Sequence, residues 1–272
     1  MTSHARDGAF EISDGSTIAF TVHPAPHPDA PRLALVHSLA LDRSIWDGVV
    51  SIITQETELL TYDCRGHGRS DRHATAFTAE LFARDLGELL HHLGWQRATV
   101  GGCSMGGCVA MAFAAIYPER ATGLALIDTT AWYGPEAPKQ FRARAEAART
   151  DGMTGLVDFQ VARWFSPAFV RRHPDVVTRT TRVFVANDFD CYAQSCALLG
   201  DADLRPYVPF FRMPVSIVVG EEDQATPPAM ARALHDAIPQ STLVVIEGAK
   251  HLTPIECPDR ISAALAGVLR RS

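Results

Sequence analysis

The stretch Gly102-Cys103-Ser104-Met105-Gly106 decides the fold of this chain, because it reads G-x-S-x-G between a buried strand pattern and a buried helix pattern. Residues 97–101 form the apolar run before it, and residues 108–114 begin the apolar helix after it. A serine in so sharp a strand-to-helix turn projects its hydroxyl away from the backbone, and the flanking glycines leave room for the turn. The helix start also directs free amides and a positive dipole end at the place where an oxyanion forms. The pattern predicts that Ser104 is a nucleophile.

A serine hydroxyl attacks a carbonyl only with the help of a general base and of a group that orients this base. In chains with this turn, the partners follow in the order serine, acid, histidine. Asp223 comes shortly after the apolar run 214–220, and His251 follows the apolar run 241–246. The order predicts a triad of Ser104, Asp223 and His251.

Other acids and histidines compete for these two roles. Glu221 and Glu222 adjoin Asp223, and Asp128 ends another apolar run. We prefer Asp223 because it stands just before the turn-forming segment 225–228. His67 lies in a loop rich in glycine and charge, where turn geometry explains it better than chemistry. Four further histidines on helix faces or in polar segments are expected at the surface: His91, His92, His173 and His235.

An oxyanion hole needs two backbone donors. The amide of Met105, directly after the nucleophile, is the first candidate. The second is expected in the loop after the third strand, which the run 32–36 predicts, and there Leu39 is the candidate.

Composition is typical of an enzyme free in solution. The chain has 272 residues and a net charge of −6, and no basic stripe with interleaved aromatics points to nucleic acid. The first residues lack the apolar stretch of a signal peptide, and no run has the length of a membrane span, so we expect a cytoplasmic protein with six reduced cysteines. Cys191 and Cys196 have no second pair with metal-site spacing. We expect no metal, no cofactor and no nucleic-acid or membrane partner; a homodimer is left open.

Strand and helix patterns alternate along most of the chain and predict an α/β fold. An opening hairpin over 9–13 and 17–22, a strand over 57–62 and a helix over 78–93 precede the central serine turn. Right-handed crossovers then imply a mostly parallel eight-stranded sheet with helices on both faces. A proline-rich loop is expected over 25–31. Functional loops of such sheets gather at the carboxyl ends of the strands, where every candidate above falls.

Residues 129–209 break the alternation, since they are helical in character and contain no convincing strand. We interpret this segment as a helical cap inserted into a core formed by residues 1–128 and 210–272. Trp132 and Trp164, with Phe165 and Phe169, are the candidates to line the substrate pocket. Arg163 is the candidate to bind a substrate carboxylate, because a guanidinium binds carboxylate in a forked geometry. The alternatives are that the tryptophans form the core of the cap, and that Arg163 is solvated or pairs with Asp158.

Several segments together resemble the α/β-hydrolase superfamily. They are Val36-His37-Ser38-Leu39, Tyr62-Asp63-Cys64-Arg65-Gly66-His67-Gly68-Arg69-Ser70, Gly102-Cys103-Ser104-Met105-Gly106-Gly107 and Gly248-Ala249-Lys250-His251. The chain is most similar to the 3-oxoadipate enol-lactonases and their carboxylesterase relatives. The narrower likeness is carried by Ser44-Ile45-Trp46-Asp47, Ala162-Arg163-Trp164-Phe165-Ser166 and Ala202-Asp203-Leu204-Arg205-Pro206. It departs from the enol-lactonases where they often have an arginine after the strand ending in Asp128, since Ala131-Trp132-Tyr133 stands there.

Together, these features imply a serine hydrolase that cleaves a small ester or lactone through an acyl-enzyme. The resemblance implies 3-oxoadipate enol-lactone, or a related lactone from aromatic degradation, as substrate. Two alternatives share the same residues: a hydrolase of carbon–carbon bonds in ring-fission products, and a ligand receptor with slow turnover. Release of product over many cycles separates an enzyme from such a receptor.

Overall fold

The computed structural model describes residues 5–25, 27, 29–73 and 76–272. Two expectations fall partly outside these residues. The expectation that the first residues form no signal peptide includes residues 1–4, and the proline-rich loop predicted over 25–31 includes residues 26 and 28.

Eight strands form one sheet in the order β1-β2-β4-β3-β5-β6-β7-β8. The first three strands in this order pair antiparallel, and all the other neighbours pair parallel. With helices on both faces, this is the predicted α/β fold. The strands are β1 (Arg6–Glu11), β2 (Thr17–His23), β3 (Arg32–Val36), β4 (Glu58–Tyr62), β5 (Ala98–Cys103), β6 (Ala121–Ile127), β7 (Val215–Gly220) and β8 (Ser241–Ile246).

Eleven α-helices lie in the described part of the chain. They are α1 (Asp47–Ile53), α2 (Ala79–His92), α3 (Met105–Ile116), α4 (Ala137–Gly155), α5 (Val157–Trp164), α6 (Pro167–Arg172), α7 (Pro174–Val185), α8 (Phe189–Asp201), α9 (Pro228–Ala237), α10 (Thr253–Glu256) and α11 (Pro258–Leu269). None of these described helices combines the length and the apolar character that crossing a membrane requires.

Local signals set several boundaries as predicted. Strands β3 and β8 span the predicted residues, and Thr78 caps α2 by accepting a hydrogen bond from the amide of Leu81. Gly94 follows α2 with a φ of 71°, a conformation that suits glycine at a helix end. Strand β1 differs, because it begins at Arg6 instead of residue 9. Its three extra residues pair with β2, a register that apolar alternation does not reveal.

The central strand β5 lies between β3 and β6. The chain places β4 on one side of β3 and β5 on the other, so the strand order reverses between β3 and β5. In open α/β sheets, a crevice forms at such a switch point, outside the carboxyl ends of the strands. The loop after β3 and the serine turn after β5 are therefore neighbours.

Helices α4–α8 lie between β6 and β7 in the chain and are called the cap below. Aromatic side chains pack against one another within the cap: the ring of Trp164 lies edge-on to Phe184 with centroids 5.4 Å apart, and Phe165 stacks on Phe169 at 5.1 Å. Helices α4 and α8 pack along each other. These aromatic residues belong to the same buried apolar cluster as the sheet, so the cap packs continuously onto the core.

Candidate active site

Ser104 lies in the one-residue turn between β5 and α3, with φ 55° and ψ −114°. Few residues other than glycine adopt a positive φ, so the turn is held by its surroundings. A Cβ at Gly102 would overlap the backbone of Gly106, and a Cβ at Gly106 would overlap the carbonyl of Val36. Thr129 donates a hydrogen bond of 2.7 Å to the carbonyl of Ser104. Glycine is thus required at both positions for the strand and helix to meet so closely.

Three side chains from three loops form a hydrogen-bonded row. His251 Nε2 lies 3.0 Å from Ser104 Oγ, and His251 Nδ1 lies 2.8 Å from Asp223 Oδ2. All three residues are buried, with exposed fractions of 5% for Ser104, 5% for His251 and 3% for Asp223. Both ring nitrogens are therefore in reach of a partner, as general-base catalysis on a serine requires.

Asp223 is held as a carboxylate by its neighbours. Its Oδ1 accepts the amides of Ala225 at 2.7 Å and Thr226 at 3.0 Å, and its Oδ2 accepts the Thr226 hydroxyl at 2.8 Å. Burial raises the pKa of Asp223, but the charge and hydrogen bond of His251, with the bonds from Thr226, lower this pKa below its ordinary value overall. The turn after β7 therefore keeps an anion beside the imidazole. Glu221 and Glu222, the neighbouring alternatives, are exposed.

Asp128, the other acid considered, has different partners. Its carboxylate accepts the Gly220 amide at 3.1 Å, the Thr253 amide at 3.0 Å and the Thr253 hydroxyl at 2.6 Å. Burial, with the nearby charge of Asp223, raises the pKa of Asp128 well above its ordinary value. Asp128 thus ties the ends of β6 and β7 to the start of α10, directly after the His251 loop.

The end of α5 binds the loop that carries His251. The amides of His251 and Leu252 donate to the carbonyls of Arg163 at 3.4 Å and Trp164 at 3.1 Å. Lys250 Nζ donates to the carbonyl of Ala162 at 2.6 Å. Successive carbonyls at the end of this cap helix are therefore satisfied by the histidine loop.

Leu39 and Met105, the predicted oxyanion donors, flank the serine. Leu39 lines the same cavity as Ser104 and His251. Met105 is the first residue of α3, so its amide has no partner within the helix. Among the described residues, neither amide donates to a backbone carbonyl in a turn or loop. Both donors are free for another acceptor.

Two buried histidines lie under the loop that leads to Leu39. His37 Nδ1 donates to the carbonyl of Ser38 at 2.8 Å, and His37 Nε2 accepts the amide of Cys64 at 2.9 Å. The ring of His67 lies 5.0 Å from that of His37. Burial lowers the pKa of both imidazoles, and the proximity of the two rings disfavours a second positive charge, which lowers the pKa of His67 further. Neutral His37 and His67 are thus part of the packed structure, as the turn-forming role predicted for His67 implies.

A narrow cavity of about 50 Å³ opens beside the serine. Residues from the sheet loops and the cap line it together: Ser38, Leu39, Ser104, Tyr133, Phe141, Arg144, Gln160, Arg163, Trp164, Leu199, Ala225 and His251. The nucleophile therefore faces a space that is enclosed jointly by the sheet loops and the cap.

Of the three predicted substrate contacts, two line this cavity and one does not. Arg163 and Trp164 lie in its wall, and Arg163 donates to the carbonyl of Gln224 at 3.1 Å rather than pairing with Asp158. Trp132 is not among the residues that line this cavity, so a contact between it and the substrate stays a prediction. Trp132 forms a bridge with Asp203, and the guanidinium of Arg205 covers its ring at 3.6 Å from the ring centroid. A cation–π contact with a distant segment therefore orients the indole.

Sequence reasoning missed Tyr133, Arg144 and Gln160, which also line the cavity. Tyr133 follows Trp132 in the sequence and lies in the cavity wall, where Trp132 was expected. Arg144 lies on α4, two residues from the exposed Arg142. Arginine is frequent along α4, so composition alone does not single out Arg144.

Over residues 5–25, 27, 29–73 and 76–272, no cluster of three or more His, Cys, Asp or Glu side chains has the arrangement of a metal site. The six cysteines are free thiols, and burial raises the pKa of Cys103, next to the serine, well above its ordinary value.

Comparison with known proteins finds a family and close structural relatives for the chain. A family model described as the alpha/beta hydrolase fold matches residues 31–258. The chain is 31% identical over 243 residues to 3-oxoadipate enol-lactonase 2 of Acinetobacter baylyi, covering 89% of this chain and 90% of that protein. The crystal structure of the enol-lactonase from Burkholderia xenovorans superposes with a TM-score of 0.92 at 33% identity, over 97% of this chain and all of that one. A malate-bound thermophilic esterase from Thermogutta terrifontis gives 0.89 at 31% identity, over 97% and 98%.

Replacing Gly102 with alanine should destabilise the protein by about 1–3 kcal/mol or more, because the added Cβ overlaps the Gly106 backbone, which has no freedom to retreat. Gly267→Ala on α11 is the matched control, since its Cβ meets no atom and alanine favours the helix by up to about 1 kcal/mol. Urea unfolding of both variants measures the difference. Equal free energies of unfolding would show that the turn tolerates a side chain at residue 102.

Replacing His67 with asparagine should weaken the acid sensitivity of the fold. The pKa of His67 is lower in the folded state than in the unfolded chain, so below about pH 6.5 the unfolded chain binds more protons and the wild-type protein loses stability. The loss is about 1.4 kcal/mol per pH unit for each such histidine. Asparagine keeps a donor for the Arg65 carbonyl without this titration. Urea unfolding at about pH 7.5 and about pH 5.5 tests this, and identical pH slopes for both proteins would refute it.

Proposed function

We propose that this chain, which belongs to the α/β-hydrolase family and is a carboxylic-ester hydrolase, cleaves a small ester or lactone through an acyl-enzyme formed on Ser104. The observation that carries the proposal is the row of Ser104, His251 and Asp223, with contacts of 3.0 Å and 2.8 Å. In this row Ser104 is the nucleophile, His251 the general base and Asp223 the acid that orients the base.

In the first half of the reaction, Ser104 Oγ attacks the carbonyl carbon while His251 Nε2 accepts its proton. Asp223 accepts a hydrogen bond from Nδ1–H of His251 without taking the proton, fixes the tautomer and stabilises the imidazolium. The amides of Leu39 and Met105 stabilise the tetrahedral oxyanion, and each such donor typically contributes on the order of 10²–10³ in kcat. His251 then returns the proton to the leaving oxygen, and the carbon–oxygen bond breaks.

In the second half, water attacks the acyl-enzyme with His251 as base, and Ser104 leaves with its proton restored. For a lactone, the leaving oxygen stays attached to the acyl chain, so the cavity holds the whole ring-opened product until water arrives. An enol leaving group departs readily because it becomes a ketone. No step requires a cofactor.

The substrate that we propose first is 3-oxoadipate enol-lactone or a related lactone of aromatic degradation. One observation supports it: the enol-lactonases of Acinetobacter and Burkholderia cover nearly the whole chain at 31% and 33% identity. Six free thiols suit a reducing compartment, so a cytoplasmic setting is part of the proposal.

Ser104→Ala should lower kcat for 4-nitrophenyl acetate by on the order of 10⁴-fold or more, because the acyl-enzyme cannot form. Ser51→Ala, at an exposed position on α1, is the matched control and should keep full activity. Release of 4-nitrophenolate measures both, and circular dichroism verifies the fold. Near-normal turnover by the Ser104 variant would remove this serine as nucleophile.

Asp223→Asn should lower kcat by on the order of 10⁴-fold, because the amide no longer holds His251 in the required tautomer. Asp128→Asn, the matched comparison, should cost at most about tenfold in kcat but should lower the stability, since a buried network loses one acceptor. Steady-state kinetics and urea unfolding separate the two effects. A severe loss of kcat in Asp128→Asn with a mild one in Asp223→Asn would assign the orienting role to Asp128.

A further inference from the structure

One hydrogen bond crosses from the cap to the loop that carries Leu39. Asn187 Nδ2 donates to the carbonyl of Ala40 at 2.7 Å. Ala40 directly follows Leu39 and is fully buried, so bulk water does not reach its carbonyl. Within the described part of the chain, no other group donates to this oxygen. The backbone next to a proposed oxyanion donor therefore depends on a side chain of the cap.

The loop needs this support because its backbone is strained at Ala40. The amide of Leu41 donates to the carbonyl of Ser38 at 3.2 Å, which closes a turn over residues 38–41. Ala40 is the third residue of this turn and has a φ of 56°, in the region that favours glycine. Such a conformation persists only where its surroundings hold it. A relaxed turn would rotate the peptide planes around Ala40, and the amide of Leu39 belongs to the same turn.

The other contacts of this loop lie before or after Ala40. His37 bonds to the carbonyl of Ser38 at 2.8 Å in the first half of the loop, and Asp42 accepts the amide of Ser44 at 3.0 Å in the second half. Packing does not hold the part between them, because a cavity of about 250 Å³ is lined by α7 on one side and by the chain after Ala40 on the other. The bond from the cap thus carries the constraint at Ala40.

Asn187 is itself fixed within the cap. It follows the end of α7, and its Nδ2 also lies 3.0 Å from the carbonyls of Val183 and Phe184. Phe184 is fully buried, and its ring packs against Trp164. The amide has two protons for three carbonyls, and its shortest contact is with Ala40. Capping of α7 alone does not explain this arrangement, since the closest acceptor lies in another part of the chain.

We propose that Asn187 is a positioning residue whose amide holds the turn at Ala40, so that the amide of Leu39 points at the oxyanion. This inference rests on the proposed function, because it concerns how the oxyanion hole of that site is formed. A displaced donor stabilises the transition state less but leaves the binding of the substrate in its ground state nearly unchanged. The cap thus takes part in the chemistry without touching the reacting atoms. The oxyanion hole is complete only when the end of α7 lies on the loop.

Asn187→Leu removes the donor and keeps the approximate size of the side chain. It should lower kcat for 4-nitrophenyl acetate by about 10- to 100-fold, the loss expected when a catalytic group is misplaced by about 1 Å. KM should change by less than about threefold, because the substrate itself carries no oxyanion. Titration of Ser104 with diethyl 4-nitrophenyl phosphate gives the concentration of active sites, so unfolded protein does not lower the measured kcat. An unchanged kcat per active site would overturn the inference.

A transition-state analogue gives a readout that a loss of stability does not change. The hydroxyl of Ser104 adds to the carbonyl carbon of trifluoroacetone: the oxygen–carbon bond forms, His251 takes the proton, and the carbonyl oxygen becomes the oxyanion. In Asn187→Leu, the Ki of trifluoroacetone should rise by about the factor by which kcat/KM falls. A Ki equal to that of the wild type would show that the oxyanion donors are in place without Asn187, and the inference would be wrong.

Thr180→Val is the matched control on the same helix. The hydroxyl of Thr180 donates to the carbonyl of Val176 at 3.0 Å, so this variant loses a hydrogen bond within α7 and none to the loop. Its kcat and its Ki for trifluoroacetone should equal those of the wild type. Losses as large as those in Asn187→Leu would assign the effect to the stability of the cap and would overturn the inference.

A second substitution tests whether the strained turn carries the effect. Glycine adopts a positive φ without strain, so Ala40→Gly should hold the turn with less help from the cap. Added to Asn187→Leu, it should recover at least about threefold in kcat, because the two residues act on one turn. No recovery would place the effect of Asn187 outside the turn and contradict the inference.

The bond is also observable without turnover. Asn187 is the only asparagine in the sequence, so asparagine labelled with ¹⁵N in its side-chain amide gives one amide signal. In Ser104→Ala, the protons of this amide should exchange with solvent at least about tenfold more slowly than those of free asparagine. Fast exchange would show that the bond is absent in solution and would overturn the inference even in an active esterase. Slow exchange in a protein whose hydrolysis does not depend on Ser104 would instead refute the proposed function, and with it the role of Asn187 in the reaction, while confirming the bond.

Discussion

The left-handed backbone at Ser104 is the constraint on which the rest of the site depends. It turns the chain from β5 into α3 within one residue, and it does so next to the strand where the sheet order reverses. Gly102 and Gly106 make the turn possible, since a side chain at either position would overlap backbone. The hydroxyl consequently lies at the start of a buried helix, where free amides are available to a developing negative charge.

The sequence predicts the parts of the site that local rules govern. Apolar runs define the strands, and the carboxyl ends of parallel strands meet at one edge, so Ser104, Asp223 and His251 are expected together. The same rule also brings Asp128 to that edge, because β6 and β7 are neighbours. The two acids differ in their three-dimensional contacts: Asp223 contacts the imidazole, whereas Asp128 accepts the Thr253 and Gly220 amides. The preference for Asp223 came from the turn that follows it, which supplies its hydrogen bonds.

Prediction was weakest in the cap, for a physical reason. Which face of a cap helix meets the cavity depends on how the helices pack on each other and not on a periodic pattern against a sheet. Arg142 and Arg144 look alike in the sequence, yet one is exposed and the other lines the cavity. The position of Trp132 depends on Arg205, which is distant in sequence and whose stacking no local signal announces. Buried Gln160 gave no signal either, because a glutamine in a helix is ordinarily a surface residue.

The hydrogen bonds between the end of α5 and the histidine loop bear on how substrate enters. The carbonyls of Arg163 and Trp164 hold the amides of His251 and Leu252, and Ala162 holds Lys250. A swing of α5 away from the sheet would pull on His251, the proposed general base. If substrate entered by that route, His251 would be displaced, and the row of Ser104, His251 and Asp223 would form again only after α5 had returned. An entrance that does not move α5 leaves His251 in place throughout the cycle. The route by which the substrate enters therefore determines whether the proposed base is disturbed.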